Sequence, residues 1–210
     1  MGEQAVMGGP AFQGDQGVDK GKRNFLIAAT SAVGGVFGAA VAVPFIVSMQ
    51  PSARARAAGA PVEVDISKIE PGAMLTVEWR GKPVWILNRT KPMLETLAKD
   101  PGRLADPNSE ASAQPDNCRN ETRSIKPEYL VAVGICTHLG CSPSPMFTPG
   151  DASGLGAEWP GGFLCPCHGS RFDLAARVFA GQPAPTNLEI PPYYFMSDAR
   201  VLVGEEKKGA

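Results

Sequence analysis

The 210-residue chain has a net charge of -1 and 43% hydrophobic residues, with 24 Gly and 20 Pro. That length suits one domain with a real core plus a tethering segment and is short for two full domains. The near-neutral charge gives no bulk attraction to nucleic acid or an anionic surface, and the hydrophobic content excludes a disordered chain.

Residues 1–19 are rich in Gly, Gln and small residues without periodicity, as expected of a mobile terminus. The basic cluster Lys20-Gly21-Lys22-Arg23 then leads into an uncharged run from Phe25 through Met49. At about 1.5 Å per residue this run is long enough to cross a hydrocarbon core of about 30 Å. A buried core helix would need a polar face, and only Thr30, Ser31 and Ser48 interrupt the run. A cleaved signal has an apolar stretch of only about 7 to 15 residues. A retained single-pass anchor over 25–49 is therefore expected, with Gly34, Gly35 and Gly38 as a close-packing face and Pro44 as a kink. Lys22-Arg23-Asn24-Phe25-Leu26 is similar to a twin-arginine export signal with Lys in place of the first Arg, so 1–24 is expected on the cytoplasmic side.

Residues 50–61 are expected to form a flexible hinge. Ala and Arg favour a helix there, Gly59 and Pro61 end it, and no apolar face exists to dock it. From Val62 to the C-terminus the pattern is that of a β-rich head. Val62–Ile66 alternates, and Met74–Trp79 and Val84–Leu87 flank an Arg80-Gly81-Lys82-Pro83 turn, together predicting an antiparallel meander. Lys91–Lys99 predicts a short helix, and the polar stretch 100–126, with the isolated Cys118, predicts a surface insertion around a lone semi-buried thiol. Tyr129–Ile135 and Phe163-Leu164 read as strands, followed by short strands over 177–179, 188–190, 193–196 and 200–203. The proline- and glycine-rich residues between Cys141 and Cys165 predict an irregular excursion rather than a strand pair.

Four of the five cysteines and both histidines fall in two short stretches, Cys136-Thr137-His138-Leu139-Gly140-Cys141 and Cys165-Pro166-Cys167-His168-Gly169-Ser170. A single zinc would use four of these six side chains and leave two over, so zinc stays open on the count; a redox dithiol is a further candidate. The likeness of the two stretches favours a third. Each can supply one Cys to one iron and one His to the other, Cys136 and Cys165 against His138 and His168, which is the Rieske form of a 2Fe-2S cluster.

At this point the chain resembles the Rieske iron-sulfur subunits of cytochrome bc1 complexes. The resemblance covers about Lys20 to Phe195: both ligand stretches, the N-terminal anchor, the Ala-rich tether, and Gly181-Gln182-Pro183-Ala184-Pro185-Thr186-Asn187-Leu188, which is similar to the proline loop over the third side of the family's cluster. It implies a mainly β fold, an antiparallel Rieske head with a cluster-binding subdomain tethered to one transmembrane helix. It also implies a 2Fe-2S cofactor held by Cys136, His138, Cys165 and His168. The leftover Cys141 and Cys167 are expected as a disulfide clamping the two loops in an oxidising compartment.

The activity implied is that of the electron-transfer subunit of a quinol:cytochrome c oxidoreductase. It would take one electron from quinol, with His168 as the quinol-facing ligand, and pass it to cytochrome c1. Two ferric ions, two sulfides and two thiolates sum to a neutral oxidised cluster, whereas four thiolates leave it doubly negative. Histidine ligation therefore raises the potential into reach of a quinol and adds groups that can take up a proton. The implied partners are cytochrome b, cytochrome c1 and quinol, with ubiquinol favoured, in a dimeric complex of a bacterial inner membrane with a periplasmic head. Leu139 and Gly140 match the family's docking tip. Ser170 matches its sulfide-bonding serine. Phe172 stands where many members carry a tyrosine that donates to a cysteine sulfur, and that departure implies a lower potential. The alternatives are a Rieske subunit of another periplasmic enzyme, of the arsenite-oxidase kind, and a zinc-binding structural module.

Overall fold

The computed structural model describes residues 17, 19–97 and 101–207. The chain divides after Ser52 into two units. The expected mobile segment 1–19, the end of the helix expected over 91–99 and the last three residues lie wholly or largely outside the described residues.

The first unit is helix α1 (Lys20–Ser48), which begins before the apolar run. Asp19 is the reason: its Oδ1 accepts from the backbone N–H groups of Gly21 (2.9 Å) and Lys22 (3.2 Å), so the basic cluster becomes the first turn. Further along, the Thr30 hydroxyl donates to the Leu26 carbonyl and the Ser48 hydroxyl to the Phe45 carbonyl, which keeps both hydroxyls satisfied on an apolar rod. Pro44 lies inside the helix, and none of the helix's residues is buried. By length and composition α1 can cross a membrane.

The second unit opens with the short helix α2 (Ala53–Ala58), closed where the Gly59 N–H reaches the carbonyls of Ala55 and Arg56. Its described residues then form three antiparallel three-stranded sheets. Strands β2 (Met74–Trp79), β3 (Lys82–Asn88) and β4 (Tyr129–Val133) form the first, in sequence order. The β2–β3 turn is tighter than expected, because Trp79 already faces Lys82 and only Arg80 and Gly81 span the gap. Both have positive φ (53° and 72°), which matches the strand twist, and Pro83 is drawn into β3.

Strand β1 (Val62–Asp65) does not join that meander. It pairs with β9 (Arg200–Val203), which also pairs with β8 (Tyr193–Ser197). The register sets Val62 against Val203 and Val64 against Val201, so the two alternating strands point their valines the same way.

The third sheet holds the two Cys/His stretches and corrects the expectation of an irregular excursion. Strand β5 (Ser144–Met146) pairs with β6 (Gly162–Leu164), which pairs with β7 (Arg171–Phe172). Pro145 sits on the edge strand, where a missing N–H costs least, and this hides the strand in the sequence. Strands expected over 177–179 and 188–190 are instead irregular, tied by the isolated bridges Phe172–Val178 and Leu104–Phe179 and by the Val133 N–H to the Glu189 carbonyl.

Helix α3 (Lys91–Leu97) precedes the polar stretch expected on the surface. That expectation also needs correcting: Leu104, Cys118, Arg123 and Ser124 are buried, and Cys118 is fully enclosed against the Tyr193 hydroxyl at 3.7 Å. A single buried apolar cluster runs from β1 through Cys136 and Cys165 to Val203.

Candidate metal centre

Strand β4 delivers the chain into the first loop and β6 into the second, and the two loops are built alike. In the first, the Cys136 N–H donates to the Cys141 carbonyl (2.7 Å) and the Gly140 N–H to the Cys136 carbonyl (3.0 Å). In the second, the Cys165 N–H donates to the Ser170 carbonyl (2.8 Å) and the Gly169 N–H to the Cys165 carbonyl (2.9 Å). Each loop turns through a left-handed glycine at the same position, Gly140 (φ 85°) and Gly169 (φ 79°), a conformation that a Cβ disfavours.

The bases of the loops are held together by Trp85 of β3. Its ring stacks on Phe163, two residues before Cys165, with centroids 4.8 Å apart. The same ring lies so close over Gly134, two residues before Cys136, that a Cβ there would come within 2.3 Å of it. Neither Gly134 nor Trp85 carries a ligand type, so no local pattern marks them as parts of the site.

The structure brings the expected residues together in layers. Cys136 and Cys165 are buried and in mutual contact, His138 is half-buried and His168 is exposed. The two imidazoles meet edge to face with centroids 4.7 Å apart. Cys141 and Cys167 are joined by a disulfide across the loops, with Cα atoms 6.6 Å apart. Leu139 projects into solvent, 71% exposed, beside the exposed Gly140.

The segment 181–188 closes a third side, pinned to both loops. The Thr137 hydroxyl donates to the Thr186 carbonyl (2.7 Å), Gln182 Oε1 accepts from the Arg171 N–H (3.1 Å), and the buried Ser170 Oγ accepts from the Ala184 N–H (3.0 Å). Pro183 stands exposed between two of these anchors. Because Ser170 accepts from Ala184, its own proton is free for a neighbour, and its hydroxyl favours the thiolate of Cys136. Phe172 is fully buried opposite Phe163 in the β6–β7 pair.

This donor set fits an iron-sulfur group. Burial pushes the Cys136 thiol up, outweighing the His138 N–H and the Ser170 hydroxyl that favour its thiolate, so a cation is what makes the anion tenable there. His138 Nδ1 is buried with no hydrogen-bond partner among the described residues, a lone pair left for a metal. The sulfurs of Cys141, Cys165 and Cys167 also lie within 4.8 Å of one another, but two of them are spent on the disulfide, so that trio cannot hold an ion. A two-iron group spreads its ligands over its own width, which suits two inner thiols and two outer imidazoles better than one point of convergence.

Comparison with known proteins agrees. The Rieske [2Fe-2S] domain family matches residues 61–192, and the family described as Ubiquitinol-cytochrome C reductase Fe-S subunit TAT signal matches residues 13–52. The chain is 61% identical over 197 residues to the ubiquinol-cytochrome c reductase iron-sulfur subunit of Allochromatium vinosum, covering 93% of this chain and 94% of that one. It is 45% identical to the subunit of the same name from Blastochloris viridis, covering 87% of this chain and 92% of that one. Among solved structures, a chain of a hyperthermophilic respiratory Complex III is similar at 26% identity and a TM-score of 0.45, covering 85% of this chain and 98% of that chain. From the domain match and the two relatives, the chain belongs to the family of ubiquinol-cytochrome c reductase iron-sulfur subunits, whose head is a Rieske [2Fe-2S] domain.

Proposed function

We propose that this chain is the membrane-anchored electron-transfer subunit of a quinol:cytochrome c oxidoreductase. In this proposal Cys136 and Cys165 ligate one iron, and His138 and His168 ligate the other. The carrying observation is the layering of the donors, two buried thiols beneath two imidazoles of which His168 is open to solvent. When bound there, the 2Fe-2S cluster supplies a one-electron acceptor in the potential range of a quinol.

The chain's own residues do the rest. His168 binds through one ring nitrogen and turns the other outward, where it accepts the quinol hydroxyl's hydrogen bond and holds its proton. Leu139 presents an exposed apolar surface beside it, which docks on cytochrome b and excludes water from the contact. Thr137, Ser170 and Gln182 orient the loops by fixing the third segment against them. The electron's next acceptor is cytochrome c1. Helix α1 anchors the chain in a bacterial inner membrane with residues 1–24 in the cytoplasm and the head, 62–210, in the periplasm. Segment 50–61 is the hinge, and the complex is a dimer using ubiquinol. The names of the relatives and the composition of α1 support these assignments.

The test is purification of the complex from native membranes. The expected result is co-purification with b- and c-type haems, a 2Fe-2S EPR signal on reduction and quinol-dependent cytochrome c reduction. Zinc without that signal would end the proposal. Deleting residues 53–58 is expected to keep the signal while stopping turnover; normal turnover would rule out the hinge.

Phe172 makes a second prediction. A tyrosine hydroxyl at this position gains a hydrogen bond to a cysteine sulfur, and one such bond is worth roughly 0.5 to 1.5 kcal/mol, or about 20 to 60 mV in a one-electron potential. Phe172→Tyr is therefore expected to raise the cluster midpoint by that amount in an EPR-monitored redox titration. An unchanged midpoint would mean that Phe172 serves packing alone.

A further inference from the structure

The buried charge of the head is unbalanced. Among the described residues the buried charged side chains are Arg89, Arg123, Arg177 and Asp173. Arg177 is neutralised by Asp173, whose carboxylate accepts from the Arg177 Nε (2.7 Å) as well as from the backbone N–H groups of Ala175 (2.9 Å) and Arg177 (2.8 Å). The other two arginines have only neutral acceptors. Arg89 donates to the carbonyls of Pro127 (2.9 Å), Thr122 (2.9 Å) and Leu174 (3.0 Å) and to the Ser124 hydroxyl (2.7 Å). Arg123 donates to Gln114 Oε1 (2.8 Å) and to the carbonyls of Ala175 (3.3 Å), Ala176 (3.1 Å) and Leu188 (2.9 Å). Three buried cations against one buried anion leave a core charge of +2.

Both arginines remain cations at neutral pH. Burial, partly offset by Asp173, lowers each to about 10. The other carboxylates that act on them are Glu128, exposed, for Arg89 and Asp106, half-buried, for Arg123. Both reach solvent, where their fields are screened.

The excess charge also sits in a telling place. Arg89 and Arg123 grip the turn 174–176 that leaves β7 just beyond the second loop, and Arg123 grips the end of the third segment at Leu188. Leu174, Ala175, Ala176 and Leu188 belong to the same buried apolar cluster as Cys136, Cys165, Phe163 and Phe172. The residues that the guanidinium groups grip and the inner thiols therefore share one packed apolar core, a medium in which charge is screened less than in water. Pinning a turn alone does not need a cation, whose desolvation is costly.

We infer that Arg89 and Arg123 are potential-setting residues, whose uncompensated charges in the core stabilise the electron on the reduced cluster and raise its midpoint. They oppose the effect of Phe172. The inference rests on the head holding the 2Fe-2S cluster, and it deepens that proposal by naming what sets the cluster's potential.

The test is an EPR-monitored redox titration of the full chain in its complex, with thermal midpoints recorded in parallel. Arg123→Gln, which removes a positive charge, is expected to lower the cluster midpoint. Asp173→Asn, which removes the negative one, is expected to raise it. Arg123→Lys loses the guanidinium's forked bonding and, titrated on the acid side of neutrality where a buried ammonium stays protonated, keeps the charge, so its midpoint should stay near wild type. A purely structural role predicts shifts of one sign in both charge variants, from loosened packing, and a shift for Arg123→Lys as large as that for Arg123→Gln. Either pattern, or no shift, overturns the inference. Should Arg123→Gln fail to fold, Asp173→Asn decides alone, and an unchanged or lowered midpoint overturns it. A wild-type protein without the 2Fe-2S signal overturns the cluster assignment and this inference with it; a normal wild-type signal with same-sign shifts overturns only the inference.

Discussion

Cys165→Ser is expected to abolish the 2Fe-2S EPR signal completely, and Cys136→Ser to do the same, while Cys118→Ala leaves it at wild-type strength. The first two remove thiolates from the buried floor of the site, and a serine hydroxyl does not replace a soft sulfur ligand for iron. Cys118 is equally buried, but its neighbour is the Tyr193 hydroxyl and it belongs to neither loop. The three variants together separate ligation from the general effect of altering an enclosed thiol. Because cluster binding adds to the stability of the fold, the two ligand variants should also melt earlier than Cys118→Ala. A wild-type signal in Cys165→Ser would remove that residue from the ligand set, and loss of the signal in Cys118→Ala would show that the signal reports core integrity only.

The second large effect is expected from the disulfide. Cys141 and Cys167 are 26 residues apart in sequence, and closing a loop of that size restricts the unfolded chain by about 3 to 4 kcal/mol. For a head of this size, roughly 2 to 4 °C of melting temperature accompany each kcal/mol, so Cys141→Ser with Cys167→Ser should melt about 6 to 15 °C lower. The cluster should also be lost faster to an iron chelator, since nothing covalent then holds the loops against each other. Cys167 is exposed and Cys141 half-buried, so a thiol reductant can reach the bond, and reduced wild type should behave like the double variant. Equal melting and chelator half-lives in the two proteins would show that the backbone alone holds the loops.

What could be read from the sequence was the part in which chemistry dictates residue type. Cys136, His138, Cys165 and His168 stand out as candidate ligands because metal ligation admits few side chains at fixed spacing. The apolar helix α1 stands out because a run fit to cross a hydrocarbon core must be long and uncharged. The parts that escaped depend on distant partners. Strand β1 finds β9 across nearly the whole head, and alternation alone does not choose a partner. Strand β5 escaped because Pro145 argues locally against a strand, although its edge position tolerates one. The polar stretch 100–126 looked superficial because its charge is plain in the sequence and its acceptors are not. Arg123 is enclosed by carbonyls 52 and 65 residues further on, and Arg89 by one 85 residues on. Trp85 and Gly134 escaped for the same reason, since their role lies in a close approach between β3 and the chain just beyond β4.

The like construction of the two loops bears on how the centre is assembled. Each loop closes on its own backbone hydrogen bonds, turning at Gly140 and Gly169, and the third segment is fastened to them by side chains that are neither ligands nor disulfide cysteines. The shape of the receptacle therefore rests on backbone and side-chain hydrogen bonds as well as on the covalent link between the loops. The disulfide then adds a covalent tie between loops whose own closing hydrogen bonds lie within each loop.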